Sequence, residues 1–466
     1  MKQRPNSKMK WGLLPVVMAL AWPTMVEQLL QTVVQYIDTA MVGRLGTHAT
    51  AAVGGTGTIA WLVNGTISAI SIGFLAFVSQ ARGASNDKLA QKASAQAVLC
   101  ALVVGVFFTI LTLAVSPFVP VWMQIDPAIR DISTQYFFII YAPMLFRTAS
   151  IVFGTVLRAA GDSKTPMVSG IVVNAVNIVL NFLLIYPSRT WYVGNLGIYL
   201  PGADMGVIGA GVASAVAYVI GGIVITLFLL KHPVISPVGE SMKPDMDVLR
   251  PCLKVALPNA FQRFGTSFGY VVFASMINSL GEVSTAAHTI ANTVESAFYI
   301  PGYGMQAAAA TLAGNAWGAR DQERIRDLTN LIIPLEVLMM VISGGLLFVF
   351  APQMMSVFNK DPAVIALGAT VLRMVALSEP FYGVTIILEG MMQGVGNTVK
   401  PLVLNIAGMW GIRIVGTFLC IRFFALGLIS AWACMIAHNI MLFVAFVFFA
   451  ATDRMIPKEK KLGKYS

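Results

Sequence analysis

The sequence predicts an all-α integral membrane protein: twelve transmembrane helices in two pseudo-symmetric six-helix bundles, a parallel repeat around a central cavity. Three observations carry this expectation. Apolar runs of span length recur along the chain, the runs show no alternation, and the first half reappears in the second at a fixed offset.

The 466 residues are 57 % hydrophobic and 11 % charged, with a mean hydropathy of +0.76. Soluble domains carry about 25 % charged residues. A run of about 20 apolar residues crosses a bilayer as a helix. Backbone groups in lipid must bond within the segment or around a closed sheet, which leaves helices or barrels. Barrel strands alternate with a period of two and these runs do not. Helices are therefore expected over roughly 13–40, 51–79, 92–116, 132–157, 167–187, 205–230, 249–278, 284–313, 328–350, 364–392, 401–421 and 424–450.

Charge sets the orientation. Twenty-two Lys and Arg fall on the N-terminal side of the membrane, against Arg44, Arg130, Arg189, Lys360 and Arg422 on the other. The positive-inside rule then places both termini in the cytoplasm of a multi-pass protein of the cell (inner) membrane. The polar start, with Lys2, Arg4, Lys8 and Lys10 before a full-length span, reads as a cytoplasmic segment rather than a cleavable signal. The net charge of +10 is an orientation signal and an attraction to anionic lipid, not a nucleic-acid patch. Cys100, Cys252, Cys420 and Cys434 form no CxxC pair and read as inert buried thiols, with neither a disulfide framework nor a metal site.

Shifted by 235 residues, the chain meets itself without a gap. Pro23 falls on Pro258, Leu45-Gly46 on Leu280-Gly281, Gly83 on Gly318, Asp126-Pro127 on Asp361-Pro362, and Gly161 and Pro166 on Gly396 and Pro401. An even number of spans per half makes the repeat parallel, about an axis along the membrane normal. The expected organisation is a first lobe, 1–230, a cytoplasmic linker, 231–247, rich in Pro and Gly, and a second lobe with its tail, 248–466. Two such bundles leave a cleft that rocking motions can open to either side.

Ionisable and polar groups inside spans are expensive, so they face a cavity or a partner. In the first span Thr24, Glu27, Gln31, Gln35 and Asp38 share one helical face, with Tyr36 beside them. They read either as packing on polar neighbours or, more sharply, as the wall of a water-filled cavity, since burying two unpaired carboxylates is costly. Asn174, Asn177 and Asn181 of the fifth span are interhelical glue on their own, but beside Asp38 they can bond its carboxylate and set its proton affinity. His288, Asn292, Glu295 and Tyr299 line one face of the eighth span, and Ser378, Tyr382, Thr385 and Glu389 one face of the tenth; both are cavity candidates. Arg147, Arg263, Arg373 and Arg413 are expected to pair with carboxylates or to snorkel. Glu27 and Arg263, one position apart in the repeat register, are expected to pair across the lobes.

No Walker A loop, HExxH or GxSxG motif is present, so the chain is not expected to be an enzyme. Without an ATPase signature, movement of a solute must be driven by an ion gradient, and a carboxylate in the membrane is the simplest proton-coupling group.

At this point the residues resemble a known family. The segments VVQYIDTAMVGRLGTHATAA, AAHTIANTVESAFYIPGYGMQAAAATLAGNAWGAR, VLRAAGDSKTP and MMQGVGNTVKP are similar to those of the multidrug and toxic compound extrusion (MATE) transporters of the MOP flippase superfamily, over about 20–450. The resemblance implies export of organic, mostly cationic compounds in exchange for protons or sodium, with no cofactor beyond the coupling ion. It implies a coupling acid fifteen residues after a hinge proline, matched by Asp38 and Pro23. It also implies an Asn and then an Asp in the fifth span; Asn177 matches the first, while Asn181 stands where the second carboxylate would be. The sodium-type branch places acids in helices seven and ten, where this chain has Arg263 and, at the aligned position, Tyr382. The pattern leans towards proton coupling. The expected activity is therefore a monomeric antiporter for amphipathic organic cations, whose Met and aromatic side chains supply an adaptable wall. The alternative is a flippase for a lipid or a lipid-linked oligosaccharide, and an ion channel is more remote.

Overall fold

The computed structural model describes residues 12–54, 57–123, 125–193 and 196–457. The basic residues Lys2, Arg4, Lys8, Lys10, Lys458, Lys460, Lys461 and Lys464, counted towards orientation, lie outside the described residues. Each predicted span coincides with a helix, numbered here in span order: α1 (Leu14–Gly43), α2 (Gly57–Gly83, after the short helix Thr47–Gly54), α3 (Asp87–Val115), α4 (Arg130–Tyr141 and Met144–Ala159), α5 (Lys164–Leu184) and α6 (Gly206–Leu230). The second half supplies α7 (Met246–Asn278), α8 (Glu282–Gly318), α9 (Gln322–Phe358), α10 (Pro362–Ala376 and Glu379–Gly394), α11 (Val399–Arg422) and α12 (Leu428–Ala451).

Among the described residues, seven of these helices are long and apolar enough to cross a membrane singly, and the bent pairs of α4 and α10 raise the number to nine. The three that fall short are α1, α7 and α8. Each carries polar or charged residues along its length and a proline inside it: Pro23 in α1, Pro251 and Pro258 in α7, and Pro301 in α8. A helix that faces polar groups is less apolar than one facing lipid.

The 235-residue register is visible in the backbone. α4 breaks at Ala142-Pro143, bending by 46°, and α10 breaks at the matching Leu377-Ser378, bending by 53°. Asp126 and Asp361 each accept a hydrogen bond from the backbone N–H two residues on, at 2.9 and 2.8 Å, capping the helix that follows. The turns after α4 and α10 need a positive φ at Gly161 (+96°) and Gly396 (+82°), a conformation glycine adopts without a Cβ clash. Even Ser85 and its mate Arg320 share it, at 54° and 57°.

The chain divides into two compact units. The first comprises Val26–Phe74 and Asp87–Leu249; the second comprises Arg250 onward together with the residues up to Met25 and Leu75–Asn86. The linker belongs to the first unit. Gln91 donates to the Val234 carbonyl at 3.0 Å, and Gln96 both donates to the Lys243 carbonyl (2.8 Å) and accepts from the Asp245 N–H (3.0 Å). Lys92 lies 2.7 Å from Asp245 and, bonded to it, holds its carboxyl below the usual range. An antiparallel hairpin of β1 (Pro187–Val193) and β2 (Leu196–Ala203) joins α5 to α6, an addition to the all-helical expectation.

In the second unit α2, α8 and α10 cross without side chains between them. A Cβ on Gly83 would sit 1.8 Å from the Asn315 carbonyl oxygen, and one on Gly318 would sit 2.0 Å from that of Gln80. Gln80 and Asn315 are repeat mates, as are Gly83 and Gly318, so each contact is returned by its mate. Ser79 and Gly314, also mates, face one another. A contact between a residue and its own mate lies on a local two-fold relating α2 to α8. Gly394 packs in the same way on Ala310, and its carbonyl accepts from Gln80 Nε2 at 2.9 Å. Gly318→Val is expected to force these backbones apart at a cost of about 3 kcal/mol or more, read as a lower unfolding temperature and poor recovery of folded protein.

Three of the four arginines placed inside spans, all but Arg263, settle on aromatic faces. Arg147 lies 4.4 Å from the Tyr218 ring centroid, Arg373 5.8 Å from Phe348, and Arg413 5.0 and 4.9 Å from Tyr270 and Phe273. These are cation–π contacts, which the expectation of ion pairs or snorkelling did not include. Arg413 is buried in a π-helical turn of α11, Ala407–Ile414.

Candidate functional site

Two polar clusters form, one in each unit. In the first, α1 and α5 bring Asp38 against Asn177 and Asn181. Asn181 Nδ2 donates to Asp38 Oδ1 at 2.6 Å. The Asn177 amide, oriented with its nitrogen towards the carboxylate, donates to Oδ1 at 2.8 Å and Oδ2 at 3.2 Å, and its oxygen accepts from Ser214 Oγ of α6 at 3.0 Å. Both asparagines are buried and Asp38 is half-buried. Asn181 Oδ1 is buried without a donor. Asn174, one turn earlier, makes none of these contacts, and its Nδ2 is buried without a partner. Ser214 was not singled out from the sequence; its signal was a hydroxyl within the otherwise apolar stretch 206–217 of α6.

Glu27, three turns before Asp38 on the same helix, is satisfied differently. Arg158 Nη1 donates to Glu27 Oε2 at 3.0 Å, with side-chain exposures of 16 % and 10 %. This corrects the expected partner: the guanidinium on Glu27 is Arg158, from α4, not Arg263. Arg158 had been counted with the cytoplasmic loops because it lies one residue from the end of its helix. Gln31 Nε2 is 3.5 Å from Glu27 Oε1. Gln31, Gln35 and Tyr36 have exposed side chains, and the Pro23 that precedes the stripe is buried.

The two carboxylates of α1 therefore have opposite environments. Glu27 is neutralised by a cation, while Asp38 is bonded by amides and, among the described residues, has no ion-pair partner. A buried charge without a counter-ion is costly, and of the two carboxylates of α1 Asp38 is the one that lacks a counter-ion. Among the described residues no group of three or more His, Cys, Asp or Glu converges to hold a metal.

The second unit repeats this geometry with altered chemistry. Gln262 and Gln393 are the mates of Glu27 and Arg158, and the ion pair is replaced by two amides. Both donate to Glu389 Oε1, at 2.8 and 3.2 Å, and Asn405 donates to Oε2 at 3.3 Å. The mates of Glu389 and Asn405 are Gly154 and Gly170, which in the first unit lie against Arg158 and Glu27. The acid has thus moved from the first helix of the repeat to the fourth, and the cation has been lost.

The remaining candidates separate. Tyr299 and Tyr382 meet edge to face at 5.7 Å around Tyr303, whose hydroxyl is 3.1 Å from that of Tyr382. Tyr303 was missed, although it lies four residues after Tyr299 on the same face. His288 Nδ1 accepts from Trp432 Nε1 at 3.2 Å, and its ring sits edge-on to Phe273 and Trp432, a packed structural histidine. Glu295 is buried within electrostatic reach of Arg413. Asn292 and Arg263 are exposed. Two carboxylates that the sequence did not single out, Glu336 and Glu379, are almost fully buried, and no hydrogen bond reaches their oxygens.

A family model, MatE, matches residues 23–183 and 258–419, two matches that begin 235 residues apart. The probable multidrug resistance protein NorM of Thermotoga maritima is 28 % identical over 421 residues, covering 90 % of this chain and 88 % of that one. The probable multidrug resistance protein YoeA of Bacillus subtilis is 24 % identical over 415 residues, covering 88 % and 87 %. In fold, the chain is similar to a MATE in the straight conformation, with a TM-score of 0.85, 21 % identity and coverage of 94 % and 95 %. It is equally similar to an outward-facing multidrug resistance MATE family transporter of the MOP superfamily, with a TM-score of 0.85, 21 % identity and coverage of 95 % and 96 %. The matched model spans more than half of the sequence, in both repeats: the chain belongs to the MATE family of transporters.

Proposed function

We propose that this protein is a proton-coupled antiporter of the cell membrane, with both termini cytoplasmic, that exports amphipathic organic cations by alternating access, and that Asp38 carries the coupling proton. The observation behind this reading is the contrast on α1: Glu27 is neutralised by Arg158, and Asp38 is held by amides alone. Amides suit a group that gains and loses a proton. Asn181 donates to the carboxylate, and by turning its amide it presents Oδ1, now without a donor, to a carboxylic O–H. A second carboxylate at position 181 would share the proton through like-charge repulsion; an asparagine leaves one titrating group. The names of the relatives support a drug-like substrate.

The test is transport in proteoliposomes with a fluorescent organic cation, under a proton gradient and then a sodium gradient. Flux driven by protons and indifferent to sodium is the expected result. Sodium-driven flux would move the coupling ion away from this reading, and no flux under either gradient would remove the substrate class.

A further inference from the structure

The cysteines were expected to be inert, buried thiols, but two of them lie together. Cys420, near the end of α11, and Cys434, in the second turn of α12, have their sulfurs 3.9 Å apart. Both are free and half-buried. The helices are consecutive and joined by the short stretch 423–427, so the pair closes a small loop at the tip of a hairpin. Gly416, one turn before Cys420, faces the pair: a Cβ there would sit 3.0 Å from Cys434 Sγ. The bare backbone at Gly416 leaves the Cys434 thiol room to turn. A sulfur–sulfur distance of 3.9 Å is close to van der Waals contact, so a disulfide of about 2.05 Å needs the two sulfurs to approach by about 2 Å.

We propose that Cys420 and Cys434 form a reversible redox-modification site, a dithiol that closes to an intrachain disulfide and staples α11 to α12. The reaction partner is an oxidised dithiol carrier. One cysteine thiolate attacks a carrier sulfur, forming a mixed disulfide and releasing a carrier thiolate. The second cysteine thiolate then attacks the protein-side sulfur of that bond and expels the other carrier sulfur. Two protein thiols lose two protons and two electrons; the carrier disulfide takes up both and leaves as a dithiol. The positive-inside reading puts stretch 423–427, with Arg422 at its start, on the outer face, where such oxidants operate. The staple lies just beyond the π-helical turn of α11, so its redox state restrains the end of the helix that carries Arg413.

The experiment uses the full-length purified protein. It is incubated with an oxidised dithiol, denatured, and alkylated with a maleimide, with and without prior reduction. The expected result is loss of two of the four alkylatable thiols, restored by reduction. Proteolysis should give a linked peptide pair carrying Cys420 and Cys434, with Cys100 and Cys252 alkylated throughout. A trivalent arsenical, which bridges paired thiols, should protect the same two cysteines. In Cys434→Ser all three remaining thiols should stay alkylatable after oxidation, and the arsenical should protect none. Four alkylatable thiols after oxidation of the wild type, or links formed through Cys100, Cys252 or a second chain, would overturn the proposal.

Discussion

Asp38→Asn is expected to abolish accumulation driven by a pH gradient while leaving the fold intact. A gradient of one pH unit supplies about 1.4 kcal/mol per proton, enough for about a tenfold concentration ratio of a singly exchanged solute. With no titrating group at position 38, that ratio should fall to one. The change is nearly isosteric, and the new amide can still bond Asn177 and Asn181, so the unfolding temperature should hold or rise slightly as an uncompensated charge leaves the interior. Downhill flux of a preloaded substrate need not disappear. That separates a coupling defect from a folding defect in one preparation.

The second large effect belongs to Arg158. Its removal strands the Glu27 carboxylate, whose side chain is only 10 % exposed. Breaking a buried pair from one side typically costs about 3–5 kcal/mol, because the remaining charge stays buried and unpaired. Arg158→Met should therefore lower the unfolding temperature sharply. The double replacement Glu27→Gln with Arg158→Gln should recover much of the loss. The chain contains the precedent, since Gln262 and Gln393 occupy the same two positions in the second repeat. A single variant as stable as the wild type, or a double variant no better than the single, would show that the pair does not hold α1 to α4.

Spans and register were legible in the sequence because both rest on composition and spacing, which tertiary contacts do not alter. Even the paired breaks of α4 and α10 fall in that register, and a proline marks each, Pro143 at the first and Pro380 just after the second. The β-hairpin had a signal too, with aromatic and β-branched residues on either side of Gly194-Asn195, masked by reading the segment as a loop between spans. Within the site, the face shared by Glu27 and Asp38 and the face shared by Asn177 and Asn181 followed from periodicity, whereas the bond between Asp38 and Asn181 depends on how α1 and α5 pack. The identity of Glu27's partner did not follow from periodicity either. Register alone offered Arg263, while the distance across a bundle depends on how α1 and α4 pack, and Arg158 sat at a helix end where charge counting treats any arginine as loop. The Cys420–Cys434 contact and the burial of Glu336 and Glu379 were hidden for the same reason, since they join or enclose residues through packing that no local spacing encodes.

The central claim is that binding of an organic cation and loss of the Asp38 proton are linked. The direct measurement is proton release from the purified protein, in weakly buffered detergent, on adding a saturating organic cation. The account predicts release of up to about one proton per chain from the wild type, with binding that weakens as the pH falls, and no release from Asp38→Asn. Substrate binding without proton release in the wild type, or equal release from the variant, would contradict it.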